Sequence, residues 1–223
     1  MNKTQLILMS ALVAGMQTAN AAEPGWYSSL NLGYAIPEGS LAHDGGDATQ
    51  GPDYDLDHGG VVGLGGGYRF GNGLRLETDL RYRALDAGGI SGGALGAPSY
   101  ADGSVTSTTW MANMAYDFVL QGTKLQPYLK GGIGAAWNDA EADVLGADHP
   151  DRWAIYSSGT DTQFAWSLGA GLAYPIDDRL SLTADYQYVD LGNAETGTDI
   201  NGHRMRFDDL GSHEVTLGLR YAF

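Results

Sequence analysis

The sequence contains no cysteine and few basic residues. Without cysteine the chain cannot use a disulfide framework, on which many small exported domains depend for stability. Its 12 lysines and arginines stand against 27 aspartates and glutamates, which gives a net charge of −15. This acidity argues against nucleic acid as a partner, because a protein that binds nucleic acid needs a basic patch.

Long hydrophobic runs are also scarce, apart from one apolar stretch near the amino terminus. Lys3 is followed by the apolar residues 6–15 and by the small-x-small motif Ala19-Asn20-Ala21, a pattern typical of a secretory signal peptide. The apolar stretch is shorter than the ~20 residues that a membrane-spanning helix needs. We therefore expect residues 1–21 to be a signal peptide and residues 22–223 to form one exported domain.

The mature sequence has a period-two alternation of apolar and polar residues, which is typical of β-strands. The pattern is clearest in the segment 74–84, where every second residue from Arg75 to Arg83 is charged. Eight segments of strand length share the alternation: 26–35, 61–70, 74–84, 107–118, 127–137, 164–174, 179–189 and 214–223.

The connections between these segments differ in length in a regular way. Three are short: 71–73, 119–126 and 175–178. Four are long and polar: 36–60, 85–106, 138–163 and 190–213. Short turns at one end and long loops at the other are typical of outer-membrane barrels. In lipid, strands can pair all of their backbone N–H and C=O groups only by closing into a barrel. We predict an all-β fold, an eight-stranded antiparallel up-and-down transmembrane β-barrel with long extracellular loops.

The aromatic residues indicate which face of the strands meets lipid. Most of them fall at the strand ends, whereas leucine, valine, alanine and methionine occupy the middles, and such aromatic girdles mark a membrane-spanning barrel. A soluble lipocalin-like barrel could present the charges of segment 74–84 to water. However, segments 61–70, 127–137 and 164–174 offer mainly glycine, alanine and serine on their second face, which makes a poor soluble surface. We therefore place the apolar face in lipid.

The polar face then lines the lumen. Twelve charged residues are assigned to it: Arg69, Arg75, Glu77, Asp79, Arg81, Arg83, Asp117, Lys130, Arg179, Asp185, Glu214 and Arg220. Unpaired charges are very costly in a narrow interior, so these groups are expected to form ion pairs that plug the lumen. Most basic residues of the mature chain are then assigned to the lumen, so we expect the loops to be strongly acidic.

The carboxyl end, Thr216-Leu217-Gly218-Leu219-Arg220-Tyr221-Ala222-Phe223, resembles the assembly signal of outer-membrane barrels. Its defining positions are Thr216, Gly218, Tyr221 and Phe223. Together with segments 127–137, 164–176 and 179–192, it makes the chain similar to the small outer-membrane β-barrel surface-antigen family, related to OmpX and to the OmpA transmembrane domain. The resemblance implies a monomer in the cell outer membrane that contacts membrane lipids and lipopolysaccharide, and that uses the barrel assembly machinery during biogenesis.

Catalytic and metal sites are not expected. No His-x-Ser pair of the lipid A deacylase type occurs, and in a strand the contiguous Ser212-His213-Glu214 would point to opposite faces. Three carboxylates alternate beside His58, at Asp53, Asp55 and Asp57. The remaining ligands of a calcium-binding loop are missing, so we interpret this segment as a solvated acidic loop. We predict no cofactor and no enzyme activity. Acidic loops could still share divalent cations with lipopolysaccharide phosphates.

Two functions remain open at this point. The first is a structural or surface-exposed protein that serves envelope integrity, adhesion or antigen display around a plugged lumen. The second is a narrow porin-like channel for ions or small solutes, which requires a continuous water path past the charges of segment 74–84. Ion conductance separates the two.

Overall fold

The computed structural model describes residues 23–38, 42–44, 53–56, 58–91, 100–145, 153–195, 205–207 and 210–223. The predicted signal peptide lies outside these residues. Within them, no helix is long and apolar enough to cross a membrane.

Eight long strands form the wall of a closed barrel, as predicted. They are β1 (Gly25–Glu38), β2 (Gly59–Arg69), β3 (Leu74–Ser91), β4 (Tyr100–Asp117), β5 (Gln126–Leu145), β6 (Trp153–Pro175), β7 (Leu180–Asp190) and β8 (Gly211–Ala222). Each strand pairs antiparallel with its neighbour in sequence, and β8 pairs with β1. Both termini of the barrel and its short turns lie at one end, called the turn end below; the opposite end is the loop end.

The seam between the first and last strands is fully paired. Tyr27 lies opposite Ala222 near the turn end, and Glu38 lies opposite Gly211 at the loop end. The backbone N–H of Phe223 also donates to the carbonyl of Trp26 at 3.0 Å. The carboxyl-terminal segment therefore closes the barrel and leaves no open sheet edge at this seam.

The two faces of the wall separate as the alternation predicts. Leu217 on β8 is 63% exposed, whereas its neighbour Thr216 is 2% exposed. The outward face carries large apolar side chains on every strand, including Leu64, Ile133 and Leu168. In a water-soluble protein so large an apolar surface would favour aggregation, but in a membrane it meets lipid.

Aromatic side chains contact one another around the turn end. Tyr68 packs edge-to-face against Trp26 with ring centroids 5.2 Å apart and against Phe70 at 5.1 Å. Tyr221 and Phe223 form a similar pair at 5.6 Å. These contacts build the predicted girdle, where amphipathic rings settle at the headgroup level.

The strands on one side of the barrel extend well beyond the predicted ends. β6 has 23 residues, about twice the 9–11 that cross a bilayer. Its partner β5 runs to Leu145, which lies opposite Trp153, and the β3–β4 pair extends in the same direction. The barrel therefore has a wall that rises far above the membrane at the loop end.

The assignment of segments 85–106 and 138–163 as loops is consequently wrong for most of their residues. Above the membrane a strand faces water on both sides, so its sequence loses the apolar alternation on which the prediction relied. Four short strands, Ala42–Asp44, Asp53–Leu56, Ala194–Glu195 and Met205–Phe207, also form within the predicted loops. Asp53–Leu56 pairs with the extended part of β3.

The turn before β7 is held by a side chain. The carboxylate of Asp177 accepts the backbone N–H groups of Arg179 and Leu180 at 2.8 and 2.7 Å. These two hydrogen bonds hold the pKa of the Asp177 carboxyl below its usual range, and the one from Arg179 has the larger effect. The turn therefore stays fixed by an ionised carboxylate at neutral pH.

Glycines in the wall make room for long inward side chains of the neighbouring strand. Gly171 on β6 lies opposite Tyr128 on β5, and a Cβ atom at Gly171 would come within 2.4 Å of Cζ of the Tyr128 ring. At Gly63 on β2 the added Cβ would lie 3.0 Å from Cγ of Arg81. At these positions a long inward side chain therefore lies against a glycine of the adjacent strand.

A methyl group at Gly171 tests this arrangement. We expect Gly171→Ala to displace the Tyr128 ring and to lower the free energy of unfolding by about 1–3 kcal/mol, the usual effect of overpacking. Urea unfolding in lipid vesicles measures the loss. Gly60→Ala is the matched control, because an added Cβ there meets no atom within 4 Å. Equal stability of the two variants would contradict the proposed packing.

Candidate functional site

The carboxylate of Glu214 on β8 lies in the lumen and is 0% exposed. Arg83 Nε donates to its Oε1 in a short contact, and Arg81 Nη1 donates to its Oε2 at 3.1 Å. Gln187 Nε2 donates to the same Oε2 at 2.8 Å. Glu214 therefore joins β7 and β8, which lie on one side of the seam, to β3 on the other side.

Neighbouring groups extend this contact into a network called the upper cluster, formed by Asp79, Arg81, Arg83 and Glu214. Arg81 Nε also donates to Asp79 Oδ1 at 3.2 Å. Asn113 on β4 donates to Asp79 Oδ2 at 2.7 Å, and Arg83 Nη1 donates to the hydroxyl of Thr109 at 2.8 Å. The upper cluster is balanced, with two cations and two carboxylates.

A second network, the lower cluster, lies nearer the turn end. It contains Arg69, Arg75, Glu77, Asp117, Lys130, Asp185 and Arg220. Arg75 forms its centre, because its Nη1 lies 2.8 Å from Glu77 Oε2 and its Nε lies 3.0 Å from Asp117 Oδ2. The Lys130 ammonium lies 3.9 Å from Asp185 Oδ1, and Arg69 Nε lies 3.8 Å from Asp117 Oδ2.

Two inward tyrosines complete the lower cluster. The Tyr27 hydroxyl donates to Glu77 Oε2 at 2.6 Å, and the Tyr128 hydroxyl donates to Asp185 Oδ1 at 2.5 Å. Their rings also support cations, since Cζ of Arg220 lies 5.4 Å from the centroid of Tyr27 and 5.3 Å from that of Tyr128. Arg220 is thus held by ring faces, and no carboxylate among the described residues forms an ion pair with it.

Eleven of the twelve residues assigned to the lumen by sequence face it. The exception is Arg179, which is fully exposed in the turn before β7, where its Nη1 lies 3.4 Å from the hydroxyl of Tyr221. In β7 the odd-numbered residues face inward, and Arg179 has an odd number. However, the strand begins only at Leu180, so the alternation of a strand does not determine the direction of the Arg179 side chain. The prediction that places Arg179 in the lumen is therefore wrong.

Sequence reasoning missed several lumen residues that carry no charge. Tyr27 has the same parity as Ser29 and Asn31 on β1, and this parity could have revealed it. Aromatic residues were instead expected on the lipid face, where their partition into the headgroup region is usual. Asn113 and Gln187 could be found in the same way, from their parity on β4 and β7.

An apolar layer above the upper cluster was not foreseen either. Leu85 on β3 lies opposite Val105 on β4, two residues beyond Arg83 toward the loop end. Val189 holds the equivalent position two residues beyond Gln187. All three apolar side chains are at most 2% exposed, so they form a buried apolar lining of the wall at this height.

The chain that follows β7 contributes to the same layer. Leu191 is 2% exposed, and its N–H donates to the carbonyl of Leu210, which is 3% exposed. Asn138 on β5 donates to the carbonyls of Leu191 and Asn193 at 2.9 and 3.1 Å. These contacts anchor the segment after β7 inside the rim of the barrel.

The remaining candidates stay apart from the lumen networks. Ser212 and Glu214 are buried inward, whereas His213 points outward and contacts the Tyr186 hydroxyl at 2.8 Å, so the three do not meet. Asp57 lies outside the described residues. Within the described part of the chain, no group of three or more potential ligands is placed to hold a metal ion.

Comparison with known proteins agrees with this architecture. The sequence model of the family described as outer membrane protein beta-barrel domain matches residues 6–223. The 31 kDa outer-membrane immunogenic protein of Brucella melitensis is 30% identical over 210 residues, which cover 89% of this chain and 83% of that relative.

Solved structures show the same fold at lower identity. Neisserial surface protein A is 23% identical, with a TM-score of 0.51 over 90% of this chain and 99% of that one. OprG from Pseudomonas aeruginosa is 14% identical, with a TM-score of 0.56 over 91% of this chain and 99% of that one. A closed barrel with a lipid-facing apolar wall, a charged lumen and this family match leads to one conclusion: the chain belongs to the outer membrane β-barrel protein family and resides in the outer membrane.

Proposed function

We propose that this protein is a non-conducting barrel that serves the envelope as a structural and surface-exposed element. The observation that supports this most directly is the burial of the inward side chains at two successive heights. Arg83 and Glu214 pair in the upper cluster with no exposed surface, and Leu85, Val105 and Val189 pack above them. An eight-stranded barrel leaves room only for side chains, so two successive filled layers leave no continuous water path.

The raised wall supports a role at the cell surface. Short turns face the periplasm in this class of barrel, so the extended ends of β3–β6 point outward. These strand ends continue for several residues beyond the length that is needed to cross the lipid. Acidic residues occur there, and Asp102 lies opposite Asp143 in the pairing of β4 with β5. The word immunogenic in the name of the Brucella relative also fits an outward-facing surface.

Contacts with the membrane follow from the same geometry. We propose that the acidic rim contacts lipopolysaccharide through shared divalent cations, because the phosphates and the carboxylates are both anionic. We also propose that the exposed side chains of Tyr221 and Phe223, 40% and 78% accessible, are read by the barrel assembly machinery. A non-enzymatic role fits the separation of Ser212, His213 and Glu214.

Planar-bilayer recording distinguishes the filled lumen from a narrow channel. We expect the refolded protein to produce no steady conductance steps, because ions cannot pass the apolar layer. If steps do occur, Arg81→Glu would shift their ion selectivity, whereas the control Arg179→Glu, outside the lumen, would not. Steady steps with that pattern of selectivity would contradict the proposal and establish the channel.

Epitope insertion tests the orientation of the wall. An epitope placed within residues 146–152, between β5 and β6, is expected to bind antibody on intact cells. The matched control carries the same epitope at Gly122, in the short turn before β5, and is expected to bind only after the outer membrane is permeabilised. Labelling of intact cells by the control alone would show that the barrel has the opposite orientation.

A further inference from the structure

The lower cluster carries one more positive charge than it has carboxylates to neutralise. It has four cations and three carboxylates, whereas the upper cluster is balanced. The cations are Arg69, Arg75, Lys130 and Arg220, and the carboxylates are Glu77, Asp117 and Asp185. Because all seven lie in the lumen, away from lipid and largely away from bulk water, a surplus charge there is unfavourable without a counter-ion.

Guanidinium N–H groups without a hydrogen-bond acceptor indicate where the surplus positive charge lies. Nη2 of Arg75, both Nε and Nη1 of Arg220, and Nε of Arg69 are buried and have no hydrogen-bond acceptor among the described residues. Arg75 is 0% exposed and Arg220 is 6% exposed. Buried N–H groups of charged side chains are rarely left without an acceptor, so several in one cluster point to a bound water or ion, and the surplus positive charge favours an anion.

The three guanidinium groups converge on shared neighbours. Cζ of Arg75 lies 4.9 Å from the Tyr128 centroid and 5.6 Å from the Tyr27 centroid, so it contacts the same two rings as Arg220. Arg69 and Arg75 both approach Asp117, at 3.8 and 3.0 Å. The N–H groups that lack a hydrogen-bond acceptor are therefore carried by guanidinium groups that share neighbours at the periplasmic end of the lumen.

We propose that Arg75 and Arg220, together with Nε of Arg69, bind one small monovalent anion of the chloride class. One negative charge balances the surplus, whereas a divalent oxyanion would be repelled by the carboxylates of Glu77 and Asp117. The lumen of an eight-stranded barrel also has no room for a larger organic anion. Arg83 Nη2 is unpartnered too, but it belongs to the balanced upper cluster, where a neutral water is sufficient.

Bromide provides a direct probe of this site. In crystals of the mature protein grown in sodium bromide, we expect an anomalous peak within hydrogen-bonding distance of the free nitrogens of Arg75 and Arg220. Water at that position, with no anomalous signal, would overturn the proposal. A peak that appears only at molar bromide would likewise overturn it, as adventitious binding.

Thermal unfolding gives an independent measurement in solution. At equal ionic strength, chloride is expected to raise the unfolding midpoint of the refolded protein above its value in gluconate, which is too large to enter, because a ligand that binds only the folded state stabilises it. Arg220→Gln is expected to abolish this shift, and Arg179→Gln, an exposed cation outside the lumen, is expected to retain it.

Arg69→Gln covers the case in which Arg220→Gln fails to refold, because Arg69 lies at the edge of the cluster and contributes one free nitrogen. A reduced chloride shift in Arg69→Gln supports the site. An equal midpoint in chloride and gluconate for the unaltered protein, or a full shift in Arg69→Gln and Arg220→Gln alike, would overturn it. None of these measurements depends on whether the barrel conducts.

Discussion

Glu214 receives hydrogen bonds from Arg81, Arg83 and Gln187 inside a wall whose outer surface faces lipid. A buried carboxylate with this many charged and amide donors is stable only while all of them stay in place, because loss of any one leaves a charge or a dipole without compensation. The contact also joins the last strand to the third and seventh. The Glu214 side chain therefore links the two sides of the seam through the lumen, in addition to the backbone pairing of β1 with β8 that closes the sheet.

The two halves of the lumen follow from this arrangement but differ in character. On the loop side of Glu214, the inward side chains of Leu85 and Val189 are apolar and buried. On the turn side, Arg75 and Arg220 share the rings of Tyr27 and Tyr128 and keep free N–H groups. This difference supports the proposal of a lumen that is closed toward the outside, with a polar periplasmic half that suits a small anion.

The sequence was sufficient to predict the parts of the fold that the bilayer imposes. Lipid on one side and a polar lumen on the other force a strict alternation, so the eight strands and inward residues such as Arg81 and Glu214 could be read directly. The alternation ends where the lipid ends, and for that reason the extended ends of β3–β6 resemble loops in their sequence. Arg179 was misplaced for the related reason that a turn is not bound by strand parity. Which carboxylate pairs with which arginine depends on register across neighbouring strands and, for Arg83 and Glu214, across the lumen, which no local pattern encodes.

A double-mutant cycle between Arg83 and Glu214 tests the central claim most directly. Free energies of unfolding in lipid vesicles are compared for Arg83→Met, Glu214→Gln and the double variant. Because each single change leaves a buried group without its partner, each is expected to cost about 3–5 kcal/mol, and the double change considerably less than their sum. Additive losses below about 1 kcal/mol each, as found for exposed ion pairs, would show that the lumen is held by other contacts and would contradict this account.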